Sequence, residues 1–61
     1  MTQYLIFLKN ETEENCYLIT SNRDNAIERL ADFRDIIKRD NAWFELREYE
    51  NGSTPEYKVL M

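Results

Sequence analysis

The chain contains no histidine, one cysteine, one glycine and one proline among its 61 residues. Without histidine, it lacks the commonest zinc ligand and the commonest general base near neutral pH. A single cysteine excludes an intrachain disulfide, and a single glycine excludes a glycine-rich phosphate-binding loop. We therefore expect a protein that is not an enzyme and that holds no metal or other cofactor.

Two features that could suggest chemistry have simpler interpretations. Cys16 has no imidazole to activate its thiol, so we expect a small, buried apolar residue. The acidic residues 11–14 lack the glycine and the ordered ligand spacing of a calcium-binding loop, so we interpret them as a solvated turn.

Long apolar runs are also absent, since no stretch approaches the roughly 20 residues that span a bilayer. The N-terminus lacks the basic start of a secretory signal. Acidic residues outnumber basic ones by 12 to 8, which gives a formal net charge of −4. This balance disfavours phosphate backbones and anionic membranes as partners. Together with the lone thiol, it predicts a small acidic cytoplasmic protein with no direct nucleic-acid or membrane partner.

The length allows a single domain over residues 1–61. A chain of this size buries only about 60% of its unfolded surface, so its stability alone is marginal. Disulfides, metals and oligomerisation are the usual remedies. Because the first two are nearly excluded, self-association is the expected route, and an unusually good core is the alternative.

The element around which the chain is organised is an amphipathic helix predicted over residues 21–39. Its apolar stripe is formed by Ala26, Leu30, Phe33 and Ile37 at helical spacing. We expect Ser21 to cap the N-terminus, since its hydroxyl accepts from a backbone N–H three residues on. Asp40-Asn41 is the predicted end, because asparagine tolerates the left-handed conformation that closes many helices.

Four strands are predicted around this helix. The first, over residues 3–9, has five consecutive apolar residues and is therefore expected to be covered on both faces. The others are predicted over residues 16–20, 42–49 and 56–61. Asn51-Gly52 predicts a hairpin turn before the last strand, with a loop that extends as far as Pro55.

This ββαββ order predicts an α+β fold of two layers. The most apolar strand belongs in the middle of the sheet, so we favour a four-stranded antiparallel sheet in the order 2-1-3-4 with the helix on one face. The alternative places strand four beside strand one.

One helix covers one face of a sheet, so apolar residues are left on the other face. The first strand turns outward either Tyr4, Ile6 and Leu8 or Leu5 and Phe7. The second turns outward either Tyr17 and Ile19 or Cys16 and Leu18. Such a patch is typical of an interaction site, and Trp, Tyr and Arg are enriched in binding hot spots. The residues predicted to bind a protein, either a second copy in a homodimer or an unidentified partner, are Tyr4, Trp43, Glu45, Arg47 and Tyr49.

Two further hypotheses stay open. The helix carries a column of carboxylates that could imitate nucleic-acid phosphates and block a nucleic-acid-binding protein, as a small acidic inhibitor. Its members are Asp24, Glu28, Asp32 and Asp35. A weaker hypothesis is a small-ligand binder with a cavity between sheet and partner.

Overall fold

The computed structural model of the chain describes residues 1–50 and 56–61. Within these residues the elements are β1 (Gln3–Lys9), β2 (Glu14–Thr20), α1 (Arg23–Ile36), β3 (Trp43–Tyr49) and β4 (Lys58–Val59). The strands form a four-stranded antiparallel sheet in the order β2-β1-β3-β4. The predicted α+β fold and the favoured strand order are confirmed, and the alternative order is excluded. The predicted Asn51-Gly52 turn and the loop to Pro55 lie outside the described residues.

β1 occupies the middle of the sheet because it is apolar on both faces. It pairs with β2 along one edge and with β3 along the other. A short turn that Asn10 organises joins it to β2. The Asn10 Oδ1 atom accepts hydrogen bonds from the N–H groups of Thr12 (2.9 Å) and Glu13 (2.7 Å). Because this turn is shorter than predicted, β2 begins at Glu14 and not at Cys16.

A bulge in β2 changes which of its side chains face the helix. Ile6 lies opposite Leu18 while Phe7 lies opposite Cys16, so Tyr17 is an extra residue without a partner on β1. Such an insertion breaks the alternation of a strand. Leu18 therefore packs on the helix-side core, together with the ring of Tyr17. The outward pair is Cys16 and Ile19, a combination that neither predicted alternation contains.

The N-cap of the helix lies one residue later than predicted. Asn22, not Ser21, is the N-cap, because its Oδ1 atom accepts from the N–H of Asn25 at 2.9 Å. The hydroxyl of Thr20 accepts in turn from the N–H of Asn22 at 3.1 Å. The end of β2 and the start of α1 are thus joined by two successive side-chain caps.

The helix also ends earlier than predicted, at Ile36. Ile37 is already extended, and its N–H donates to the carbonyl of Phe33 at 2.8 Å. Lys38 and Arg39 therefore lie beyond the helix. Asn41 does adopt the left-handed conformation, with φ of 65°, but it does so in the connection to β3. No helix in the described residues is long and apolar enough to cross a membrane.

The core lies between α1 and the central strands. Ile6, Leu30 and Leu46 are its largest fully buried side chains. The partly buried Leu18, Ile27, Phe33, Ile37, Ala42 and Leu60 surround it. The buried residues of the core come from β1, α1 and β3, and they are Tyr4, Ile6, Leu8, Ala26, Leu30, Phe44 and Leu46.

Candidate protein-binding face

The side of the sheet opposite the helix, here called the outer face, is built by strand alternation and by the β2 bulge. Residues directly opposite one another on neighbouring strands point to the same side. Leu5 lies between Ile19 and Arg47, and Arg47 lies opposite Val59. The outer face consists of Leu5, Phe7, Lys9, Glu14, Cys16, Ile19, Trp43, Glu45, Arg47, Tyr49, Tyr57 and Val59.

Arg47 is at the centre of this face, and it is buried, with 4% of its surface exposed. Its guanidinium lies between two aromatic rings. The Cζ atom is 4.0 Å from the ring centroid of Phe7 and 4.4 Å from that of Tyr57. A flat guanidinium stacks on aromatic faces in a way that an ammonium does not. The chain segment at Tyr57 thus folds over the outer face and closes it above Arg47.

The polar edge of the guanidinium is held by a network within the same face. It forms ion pairs with Glu45 and with Glu14, the latter at 3.0 Å, and its Nη1 lies 3.4 Å from the hydroxyl of Tyr49. Lys9 pairs with Glu45 at 3.6 Å. Burial by itself lowers the pKa of Arg47, but the hydrogen bonds that its guanidinium donates to Glu45, Tyr49 and Glu14 outweigh burial and raise that pKa above its ordinary value. Arg47 therefore stays cationic.

This network, here called the Arg47 cluster, has no net charge. It contains two bases, Lys9 and Arg47, and two acids, Glu14 and Glu45, and each of them has a partner of opposite charge. The predicted charged pair, Glu45 and Arg47, is therefore present, but it is part of the structure of the monomer. The remaining charged members, Lys9 and Glu14, and the two rings over Arg47, those of Phe7 and Tyr57, were not predicted as site residues, because no sequence spacing indicates that they meet Arg47.

Apolar side chains are exposed around the Arg47 cluster. Trp43 is 48% exposed, Val59 54% and Ile19 60%. Among the described residues eight large apolar side chains are exposed, and four of them lie on the outer face: Ile19, Trp43, Tyr57 and Val59. Leu5 and Phe7 are only half-buried. The outer face is therefore partly closed by Tyr57, yet it keeps exposed apolar side chains on both sides of the Arg47 cluster.

Tyr4 is not part of this face, so its predicted place there is wrong. It belongs to the helix-side core with 8% of its surface exposed. The reason is that one face of β1, with Tyr4, Ile6 and Leu8, packs against the helix, whereas the other face, with Leu5 and Phe7, points outward. Burial, and then the neighbouring Glu48 carboxylate, raise the pKa of the Tyr4 hydroxyl above its ordinary value of 10.0.

Cys16 is exposed at the sheet edge, which corrects the prediction that it is buried. The β2 bulge turns it to the outer face, where its thiol lies 3.6 Å from the carbonyl of Leu18. Within residues 1–50 and 56–61, acidic, cysteine and histidine side chains form no group of three or more that could hold a metal ion.

The acidic column is on the surface of the helix away from the sheet. All four of its carboxylates are exposed and lie opposite the buried Ala26 and Leu30. Three arginines share α1 with them, so the helix retains one net negative charge. The column consists, as predicted, of Asp24, Glu28, Asp32 and Asp35.

No family model matches this sequence, and neither a curated protein nor a solved structure is significantly similar to it. The functional argument therefore depends on the outer face itself.

Proposed function

We propose that the chain is a non-enzymatic protein-binding module that forms a homodimer through its outer face. The observation that carries this proposal is the pairing of exposed apolar side chains with a charge cluster that is already neutral. Ile19, Trp43 and Val59 offer apolar surface to a partner. The Arg47 cluster between them has no unpaired charge whose burial would oppose docking.

Charge distribution favours a second copy as the partner. The chain as a whole has a net charge of −4, so two copies repel each other when their acidic surfaces meet. The outer face is electrically balanced, whereas the acidic column is on the opposite side of the molecule. Contact through the outer faces keeps the two acidic columns apart.

The chemical types of the side chains also suit an interface. Binding energy concentrates on a few aromatic and arginine residues inside an apolar patch. Trp43 and Tyr57 are exposed enough to contact a partner, whereas Arg47 is buried and lies under the ring of Tyr57. A preorganised face loses less conformational entropy on binding.

The other elements of the proposal are supported more simply. The proposal assigns no catalysis, since the chain has no histidine. A cytoplasmic location accords with the single, unpaired thiol of Cys16. The three arginines on α1 weaken the alternative that the acidic column imitates nucleic-acid phosphates.

Sedimentation equilibrium over a range of concentrations tests the dimer. We expect a monomer–dimer equilibrium that persists at high salt, because an apolar contact is not screened. Val59→Lys should shift the chain to monomer, since it places an unpaired charge in the interface. Ile36→Lys is the matched control, because Ile36 is 77% exposed on the helix and the substitution adds the same charge.

A chain that stays monomeric at every concentration, or a dimer that both lysine variants weaken equally, contradicts the proposal. A dimer that dissociates at high salt indicates instead that charged surfaces hold it together.

A further inference from the structure

A second surface feature lies at the C-terminal end of the helix, and it is separate from the Arg47 cluster. It is a groove of about 320 Å³ between the end of α1, the connection to β3 and the first residues of β3. Its floor consists of Leu8, Ile37 and Phe44, of which Leu8 and Phe44 belong to the core. Trp43, 48% exposed, lines the same groove. An apolar floor with a few charged groups at its rim is typical of a small-molecule site.

The rim of this groove is basic, although the chain is acidic. Arg34, Lys38 and Arg39 all line it, and all three are exposed. None of them takes part in the ion pairs that form within the described residues, whereas Lys9, Arg47 and Lys58 each have a carboxylate partner. Three of the eight basic residues of the chain therefore gather at this groove without a carboxylate partner in an ion pair among the described residues.

Two negative groups oppose these cations, but they do not cancel them. Asp40 also lines the groove, and the end of α1 contributes roughly half an elementary negative charge. Three positive charges against these leave about 1.5 positive charges at the rim. Glu11 and Glu13 line an adjoining cavity that shares Arg39 and Asp40 with this groove, so the excess of positive charge is smallest near Arg39.

We infer that this basic groove binds a small carboxylate anion with an aromatic body, such as an arylacetate. The carboxylate would be attracted by Arg34, Lys38 and Arg39, and the apolar body would lie on the floor beside Trp43. The volume is at the lower end of the range for small-molecule cavities, which suits a compact ligand. The inference does not rest on the proposed dimer, because a single chain presents the whole groove.

Phenylacetate and its neutral analogue phenylacetamide test the inference, since they share one shape and differ in charge. Trp43 is the sole tryptophan of the chain, and because it also belongs to the outer face, its fluorescence is read together with the backbone amide shifts of other groove residues. We expect a saturable change with phenylacetate, with amide chemical-shift changes at Ile37, Ala42 and Phe44. Phenylacetamide should bind about fivefold more weakly, on the scale of one or two exposed ion pairs.

Two double variants separate local from general charge effects. Arg34→Gln with Arg39→Gln should remove the preference for phenylacetate. Arg23→Gln with Arg29→Gln is the matched control, because it removes the same amount of charge from α1 at positions that do not line the groove. Circular dichroism checks that both variants stay folded. Equal binding of the two probes, an equal effect of the two double variants, or shifts confined to the outer face would each overturn the inference.

Discussion

Arg47 shows at the scale of one residue how a charged group is accommodated inside a small sheet protein. Its guanidinium is stacked on two rings along its faces and ion-paired along its edge. Removing such a group leaves the acids that it neutralised without a partner, which costs more than the lost contacts alone. Arg47 is thus both a structural centre and the support of the outer face.

We expect Arg47→Met to lower the free energy of unfolding by about 2 kcal/mol, because Glu45 is left largely buried with fewer partners. Arg47→Lys should recover part of this loss, since it keeps the charge but not the planar stacking. Urea unfolding measures both. Lys58→Met is the control, because its ion pair with Glu50 is exposed and should contribute less than about 0.5 kcal/mol. Equal losses for Arg47→Met and Lys58→Met contradict this account.

The raised pKa of Tyr4 leads to a prediction about stability at high pH. A hydroxyl whose pKa is higher in the folded state than the ordinary 10.0 keeps its proton longer when folded. Its contribution to stability is complete below the unfolded pKa and is lost as the pH rises through the folded pKa. Urea unfolding between about pH 9 and pH 11 should show stability falling more steeply in the native chain than in Tyr4→Phe. Parallel curves for the two proteins would mean that Tyr4 does not titrate differently on unfolding.

At the scale of elements, the connection from β2 to α1 is stabilised by side-chain caps. The hydroxyl of Thr20 accepts a hydrogen bond from the backbone N–H of Asn22, and the side-chain oxygen of Asn22 accepts one from the backbone N–H of Asn25. A helix of 14 residues gains much of its stability from such end contacts and from its packed face.

Asn22→Ala should therefore cost about 1 kcal/mol of unfolding free energy, the usual value of an N-cap. Ser21→Ala tests the position predicted from sequence, and it should change stability by less than about 0.5 kcal/mol. Thermal and urea unfolding distinguish the two variants. The opposite order of losses would place the start of the helix at Ser21.

At the scale of the whole molecule, the C-terminal segment that contains β4 contributes side chains to both sides of the sheet. Leu60 packs against the helix-side core, while Tyr57 covers Arg47 on the outer face. The N–H of Leu60 donates to the carbonyl of Leu46 at 2.8 Å, and the N–H of Leu46 donates to the carbonyl of Met61 at 2.9 Å. The chain from Tyr57 onward therefore joins the two sides of the sheet.

We expect Leu60→Ala to destabilise the protein by about 2 kcal/mol, at the low end for a leucine because this one is only half-buried. Val59→Ala should have a small effect in dilute solution, where self-association does not contribute, because Val59 is 54% exposed. Urea unfolding at low protein concentration measures both. A larger loss of stability for Val59→Ala than for Leu60→Ala would contradict the assignment of Leu60 to the core side and Val59 to the outer face.

The sequence by itself determined the element order and the central position of β1, and it favoured the strand order that the structure shows. These follow from local patterns, namely five successive apolar residues in β1, the helical spacing of Ala26 and Leu30, and alternation in β3. It also determined which residue types are missing or rare, since composition does not depend on the fold. It placed the helix start only to within a residue, because Ser21 and Asn22 are both good caps and the packing of Thr20 decides between them.

Tertiary structure alone decided which residues meet on the outer face. Tyr4 points inward because the helix covers the face of β1 that carries it. Both faces of β1 are apolar, so the sequence pattern does not indicate which of them the helix covers. The bulge at Tyr17 exposed Cys16, since an extra residue in a strand leaves no trace in a period-two pattern. Tyr57 and Glu14 reached Arg47 from distant parts of the chain, and contacts between such positions are set by sheet register and not by sequence spacing.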